Sequence, residues 1–236
     1  MVPRRPLLLL VAVLALAGCT PTEPPAEPVT SADQASTPPL AAAPTGPGYV
    51  GLADPEWAAE VSEATGIPEL AVLAYAGAIL RAGEVYPDCG IGWNTLAAIG
   101  LTESDHGRHD GASIQPDFSV TPHIFGIPLD GGNTDEITDT DGGLVDGDTE
   151  YDRAVGPMQL IPQTWASWPS DGNGDGLGDP HNIADASIAA AHHMCRASGG
   201  MSTVEGWQAG IAAYNSSDEY LLAVASAAQR YYDETR

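Results

Sequence analysis

The sequence predicts a mostly α-helical protein, a single helical domain carrying an irregular loop or small hairpin insertion. Three observations predict it. Apolar residues recur at helical spacing over residues 54–105 and again from about residue 158 onward, helix-start signals precede most of those runs, and residues 107–155 break the pattern with Gly, Asp, Thr and Pro.

Each element has its own local reason. Asp54-Pro55-Glu56 is a helix start, with Asp at the N-cap and Pro in the first turn, and the helix runs to about Thr65. A second helix begins after Ile67-Pro68 and continues through Ala-rich sequence to about Val85. A third spans Thr95 to about Asp105. Residues 107–155 read as loops with a short hairpin around Ile124–Ile127. A short helix is expected near Met158, another over Pro162–Ser167, and longer ones over Ile183–Ala197, Val204–Tyr214 and Asp218–Tyr232.

Upstream of these, residues 1–18 read as an export signal. Arg4 and Arg5 precede the apolar run Leu7–Ala17, which is too short for a membrane-spanning helix. The run ends in Leu16-Ala17-Gly18-Cys19, which resembles a bacterial lipobox; Cys19 would be lipidated and become the new N-terminus. A secretory signal cleaved nearby is the simpler alternative, and both place the mature protein outside the cytoplasm, at the cell envelope. Residues 19–47, rich in Pro, Ala, Thr and Glu, read as a disordered tether, with the folded domain over 48–236. Membrane contact would run through the lipid alone.

Charge narrows the partners. The chain of 236 residues has 32 acidic side chains against 8 basic ones, and 43% hydrophobic residues, enough for one real core. So acidic a protein repels phosphate backbones, which argues against nucleic acid. With Cys19 committed to lipid, Cys89 and Cys195 remain in an oxidising compartment and are expected to pair, unpaired core thiols being the alternative.

The third helix carries the first candidate. Leu96, Ile99 and Glu103 stand at i, i+3 and i+7, so Glu103 shares a face with core residues. Lost hydration and the negative end of the helix dipole both raise such a carboxyl's pKa, as a general acid near neutral pH requires. A buried structural Glu is the plainer reading of that helix alone. Gly156-Pro157 makes a tight turn before Met158 and Gln159, whose amide suits sugar hydroxyls and acetamides. Tyr214 and Asn215 end a later helix.

As a set, GLTESDHGRH (100–109), DTDGGLVDGDTEYDRAVGPMQLIPQTW (139–165), DGNGDGLGDPHNIADASIAAAHHMC (171–195) and AAYNSSDEYLLAVASAA (212–228) resemble lytic murein transglycosylases. The likeness is to the membrane-bound lytic transglycosylase B type and its actinobacterial lysozyme-like relatives, and it covers the chain from about residue 90 onward. It implies a lysozyme-like fold and cleavage of the MurNAc–GlcNAc β-1,4 linkage of peptidoglycan glycan strands with 1,6-anhydromuramoyl ends. Glu103 would be the single acid and base, with Met158 and Gln159 lining the cleft, Tyr214 near the carboxyl and Asn215 supporting the site. The family's GPMQF reads GPMQL here, a mild apolar exchange. A muramidase using water and a non-catalytic wall-binding lipoprotein are the alternatives. The protein is expected to act as a monomer and to need no cofactor for the chemistry.

Two acidic stretches remain. In 171–185, Asp171, Asn173 and Asp175 alternate as oxygen ligands and Leu177 can offer its carbonyl, as in an EF-hand loop, which predicts a structural calcium ion. Asn182 stands where that loop carries its closing Glu; the family resemblance supplies Asp185 instead. Asp139, Asp141, Asp146, Asp148 and Asp152 form a second cluster, read as a solvated loop or a lip of the substrate groove, with a second cation site as the alternative. The six histidines have no metal-ligand spacing.

Overall fold

A computed structural model describes residues 28–132 and 134–236. The signal segment 1–18 and Cys19 lie outside the described residues. Among the described residues seven α-helices follow one another: α1 (Pro55–Thr65), α2 (Glu69–Val85), α3 (Trp93–Ser104), α4 (Pro162–Ser167), α5 (Ile183–Ser198), α6 (Val204–Tyr214) and α7 (Asp218–Glu234). Between α3 and α4 run four short strands, β1 (Ser113–Ile114), β2 (Val120–Thr121), β3 (Phe125–Pro128) and β4 (Arg153–Val155). The expected fold class holds as a mostly helical domain.

Capping fixes the helix starts. Asp54 accepts from the Glu56 N–H with Pro55 in the first turn, Asn182 caps Ala184, Thr203 caps Gly206 and Ser217 caps Tyr220. Packing fixes the rest: α2 lies on α5, α3 on α7, and α5 on α6. α3 is buried on every side over residues 93–100, which makes it the central helix. It starts two residues before the expected Thr95, because Gly92 is the N-cap and Trp93 packs into the core. Cys89, just beyond α2, is bonded to Cys195 in the last turns of α5.

Three expectations need correction. The hairpin around Ile124–Ile127 is absent; β3 pairs antiparallel with β4, Phe125 opposite Val155, and β1 pairs with β2. A partner so distant in sequence leaves no turn signal to read. Met158 sits in no helix but in a tight turn, closed by the reciprocal Val155–Leu160 backbone bonds. The segment ahead of the helices does not behave as a tether over 31–47. It lies along the body: Gln34 Oε1 accepts from the Gly92 N–H and the Thr95 hydroxyl, the buried Asn94 amide bonds Asp33 and Ala35, and Leu40 bridges Ala53. Its composition has little to bury, so the attachment is made by side-chain amides satisfying backbone groups, which leaves no hydrophobic pattern.

Candidate active site

Glu103 stands in the last turn of α3, one turn past Ile99, which is fully buried like Leu96. Its own side chain is half-buried. Burial pushes the carboxyl up to about 7, and one hydrogen bond opposes that: the Tyr220 hydroxyl donates to Glu103 Oε1 at 2.5 Å. A carboxyl near 7 holds its proton for part of the time at neutral pH and can give it away. Burial and the Glu103 charge raise the Tyr220 phenol far above its ordinary range, so it acts as a fixed donor.

Two side chains bring the rest of the site to that carboxyl. Ser104 accepts from the Gly107 N–H and donates to the Pro157 carbonyl at 2.6 Å, tying the end of α3 to the 156–159 turn. Gly156 is at φ 71°, and a Cβ there would lie 1.9 Å from the Pro180 carbonyl oxygen, so only glycine fits. The turn is completed from α6: the Tyr214 hydroxyl donates to the Met158 carbonyl at 2.5 Å.

The expected site residues therefore divide. Gln159, held at φ 45°, lines a cleft of about 350 Å³ with Ile137, Ile161, Thr164, His193 and Tyr214. Its Nε2 donates to the Gly156 carbonyl, which leaves Oε1 as its acceptor. Met158 does not line the cleft; its side chain is 0% exposed, and its part is the carbonyl that holds Tyr214. Tyr214 makes no bond to Glu103, though the Glu103 charge is near enough to raise its pKa, after burial. Glu103 itself is outside the lining of this cleft, and Tyr214 is the link between the two. Asn215 is exposed and closes the α6–α7 turn by accepting from the Ser217 N–H, so it supports the start of the helix that carries Tyr220.

Tyr220 was not among the expected residues. A signal was present: Tyr220, Val224, Ala227, Ala228 and Tyr231 form the buried stripe of α7. A phenol on a buried stripe needs a partner for its hydroxyl. The sequence does not say which.

The acidic loops are also built from within. Asp171 accepts from the N–H groups of Gly174, Asp175 and Gly176, Asp175 from Leu177, and Asn173 from Asp175. Asp185 is 1% exposed and both its oxygens face inward, toward the N–H groups of Gly172 and Asp179; burial pushes it up to about 7. The cluster at 139–152 is not simply solvated. Asp152 is fully buried and accepts from the Thr140 N–H and hydroxyl, and Asp146 from the N–H groups of Asp148 and Arg153. Carboxylate oxygens of Asp139, Asp141 and Asp152 lie within 4.8 Å of one another. Comparison with protein-family models, with curated proteins and with solved structures gives no match for the chain.

Proposed function

We propose that the protein is a lysozyme-like lytic transglycosylase of the membrane-bound lytic transglycosylase B type, cutting peptidoglycan glycan strands with Glu103 as its one acid and base. One observation carries this reading: a lone half-buried carboxyl with its pKa raised to about 7, oriented by Tyr220 and set beside the turn that presents Gln159. Protonated Glu103 gives its proton to the oxygen between MurNAc and GlcNAc. The sugar's own acetamido oxygen relieves the charge at C1, which removes the need for a second carboxylate. Ionised Glu103 then takes the proton of the C6 hydroxyl, whose oxygen bonds C1 and closes the 1,6-anhydro ring. An attacking group already on the sugar has a high effective concentration and needs no positioned water.

Mass spectrometry of digested peptidoglycan tests the reading. Anhydromuramoyl ends are expected; reducing ends would make the enzyme a muramidase, and intact strands would leave a wall-binding protein. Export and lipidation at Cys19 belong to the same proposal. Among the described residues no helix is long and apolar enough to cross a membrane.

Calcium is proposed for the loop over 171–185, in a structural role. Asp171, Asn173, Asp175 and the Leu177 carbonyl would hold it: each carboxylate has about four lone-pair sites, and the N–H groups use only some of them. Asp185 fits less well as a direct ligand, since its oxygens turn inward. A chelator should therefore lower the melting temperature while strand cleavage persists where the protein stays folded. At free calcium about 100-fold above Kd the ion adds roughly 2.7 kcal/mol, a shift of about 5–10 °C for a domain of this size. A melting curve unchanged by chelator removes the site.

A further inference from the structure

We infer that His106 is a positioning residue: through Tyr231 it pins α7 against the end of α3 and so holds the Tyr220 hydroxyl on the Glu103 carboxyl. His106 is 1% exposed, and both ring nitrogens are engaged, Nδ1 with the Tyr75 hydroxyl and Nε2 with the Tyr231 hydroxyl, each at 3.0 Å. Tyr75 belongs to α2 and Tyr231 to α7, so one imidazole joins three segments.

The geometry on α7 gives the joint its consequence. Tyr220 and Tyr231 are eleven residues apart, three turns within about 20°, and so share a face, their backbone positions roughly 16 Å apart along the axis. Their partners, Glu103 and His106, are three residues apart at the end of α3. The two phenols thus grip the last turn of α3 and the loop just beyond it from either end of α7, and a shift of α7 that loosens one grip loosens the other. Asp105, His106 and Gly107 hold this loop in consecutive left-handed conformations, φ 51°, 57° and 80°. For the first two that conformation is unfavourable, and it persists where surrounding bonds impose it.

His106 faces Tyr75 from α2, Tyr231 and Arg230 from α7, and Asp105 and Arg108 from its own loop. Burial, with help from Arg108 and Arg230, lowers it to about 4, so it stays neutral while Glu103 titrates and behaves as a fixed strut. A neutral ring donates from one nitrogen and accepts at the other, which matches two hydroxyl partners.

The inference rests on Glu103 as the catalytic acid, and its test reads the carboxyl directly. The Glu103 carboxyl is titrated by carbon NMR in the full protein carrying Tyr220→Phe, Tyr231→Phe or both, with melting temperature and strand cleavage measured alongside. Tyr220→Phe is expected to raise the midpoint by about one unit, since a donor to the ionised form is lost. Tyr231→Phe keeps its ring and touches neither Glu103 nor the cleft, yet should move the midpoint the same way. The double variant should match Tyr220→Phe alone, because both changes act through one bond. His106→Gln, which retains a donor and an acceptor, should stay closer to the unsubstituted protein than His106→Leu. A Tyr231→Phe midpoint that does not move, or shifts that add in the double variant, overturns the inference even where cleavage is normal. Coupled midpoints without any strand cleavage would leave the strut standing and sink the enzymatic reading instead.

Discussion

Under the proposed mechanism Glu103→Gln is expected to lower strand cleavage by about 10³-fold or more, because one group would serve as both acid and base, while leaving the fold intact. Gln keeps an oxygen to accept from Tyr220 and removes only the proton that is passed. The same substitution should change stability in a pH-dependent way. Glu103 is raised in the folded protein from an ordinary 4.5 to about 7, so the folded state binds its proton more tightly than the unfolded chain does. That contribution is fully present below about 4.5 and is lost as pH rises through about 7. Glu103→Gln, which never ionises, should therefore melt with the unsubstituted protein near pH 4.5 and above it at pH 8. Cleavage by the unsubstituted protein should decline as pH rises past about 7, where the donor is lost. Unchanged cleavage in Glu103→Gln would remove this residue from the chemistry, and a lower melting temperature at pH 8 would contradict its unfavourable burial as an ion.

Removing the Cys89–Cys195 bond should have the largest effect on stability. The two residues are 106 positions apart, so the bond closes a long loop of the unfolded chain. In the chain-entropy model such a closure contributes about 4–5 kcal/mol, and delivered losses fall in the range of about 2–5 kcal/mol. For a domain of this size that is a fall in melting temperature on the order of 10 °C. Cys89→Ala with Cys195→Ala, compared with the oxidised protein by thermal unfolding, measures it. The bond joins the end of α2 to the end of α5, and Cys89 precedes α3 while Glu103 stands in its last turn, so cleavage below the melting transition should be retained. A variant as stable as the oxidised protein would mean that packing of α2 on α5 is sufficient by itself.

Much of this was readable before folding was considered, and the parts that were not share one cause. The starts of α1 and α6 and the position of Glu103 on a core-facing helix follow from residues within a few places of one another. Met158, by contrast, carries the right motif yet turns its side chain into the core, because the 155–160 turn is closed by backbone bonds that side-chain types do not announce. Gln34 and Asn94 illustrate the same limit at the other end of the domain. The Gln34 amide stands in a Pro- and Ala-rich stretch that reads as a tether, and its partners, Gly92 and Thr95, come from the start of α3, where Asn94 in turn holds Asp33.

Alone, then, the chain's order of residues determined the helical class, most helix boundaries and the candidate acid, since caps, periodicity and the burial of a helix face are local properties, and the cysteine count pointed to the Cys89–Cys195 pair. Tertiary structure alone decided that Tyr220, 117 residues away, orients Glu103, that Tyr214 holds the Met158 carbonyl, and that β3 pairs with β4. Those choices depend on which distant groups satisfy one another once water is excluded, and short-range sequence carries no record of the partner selected.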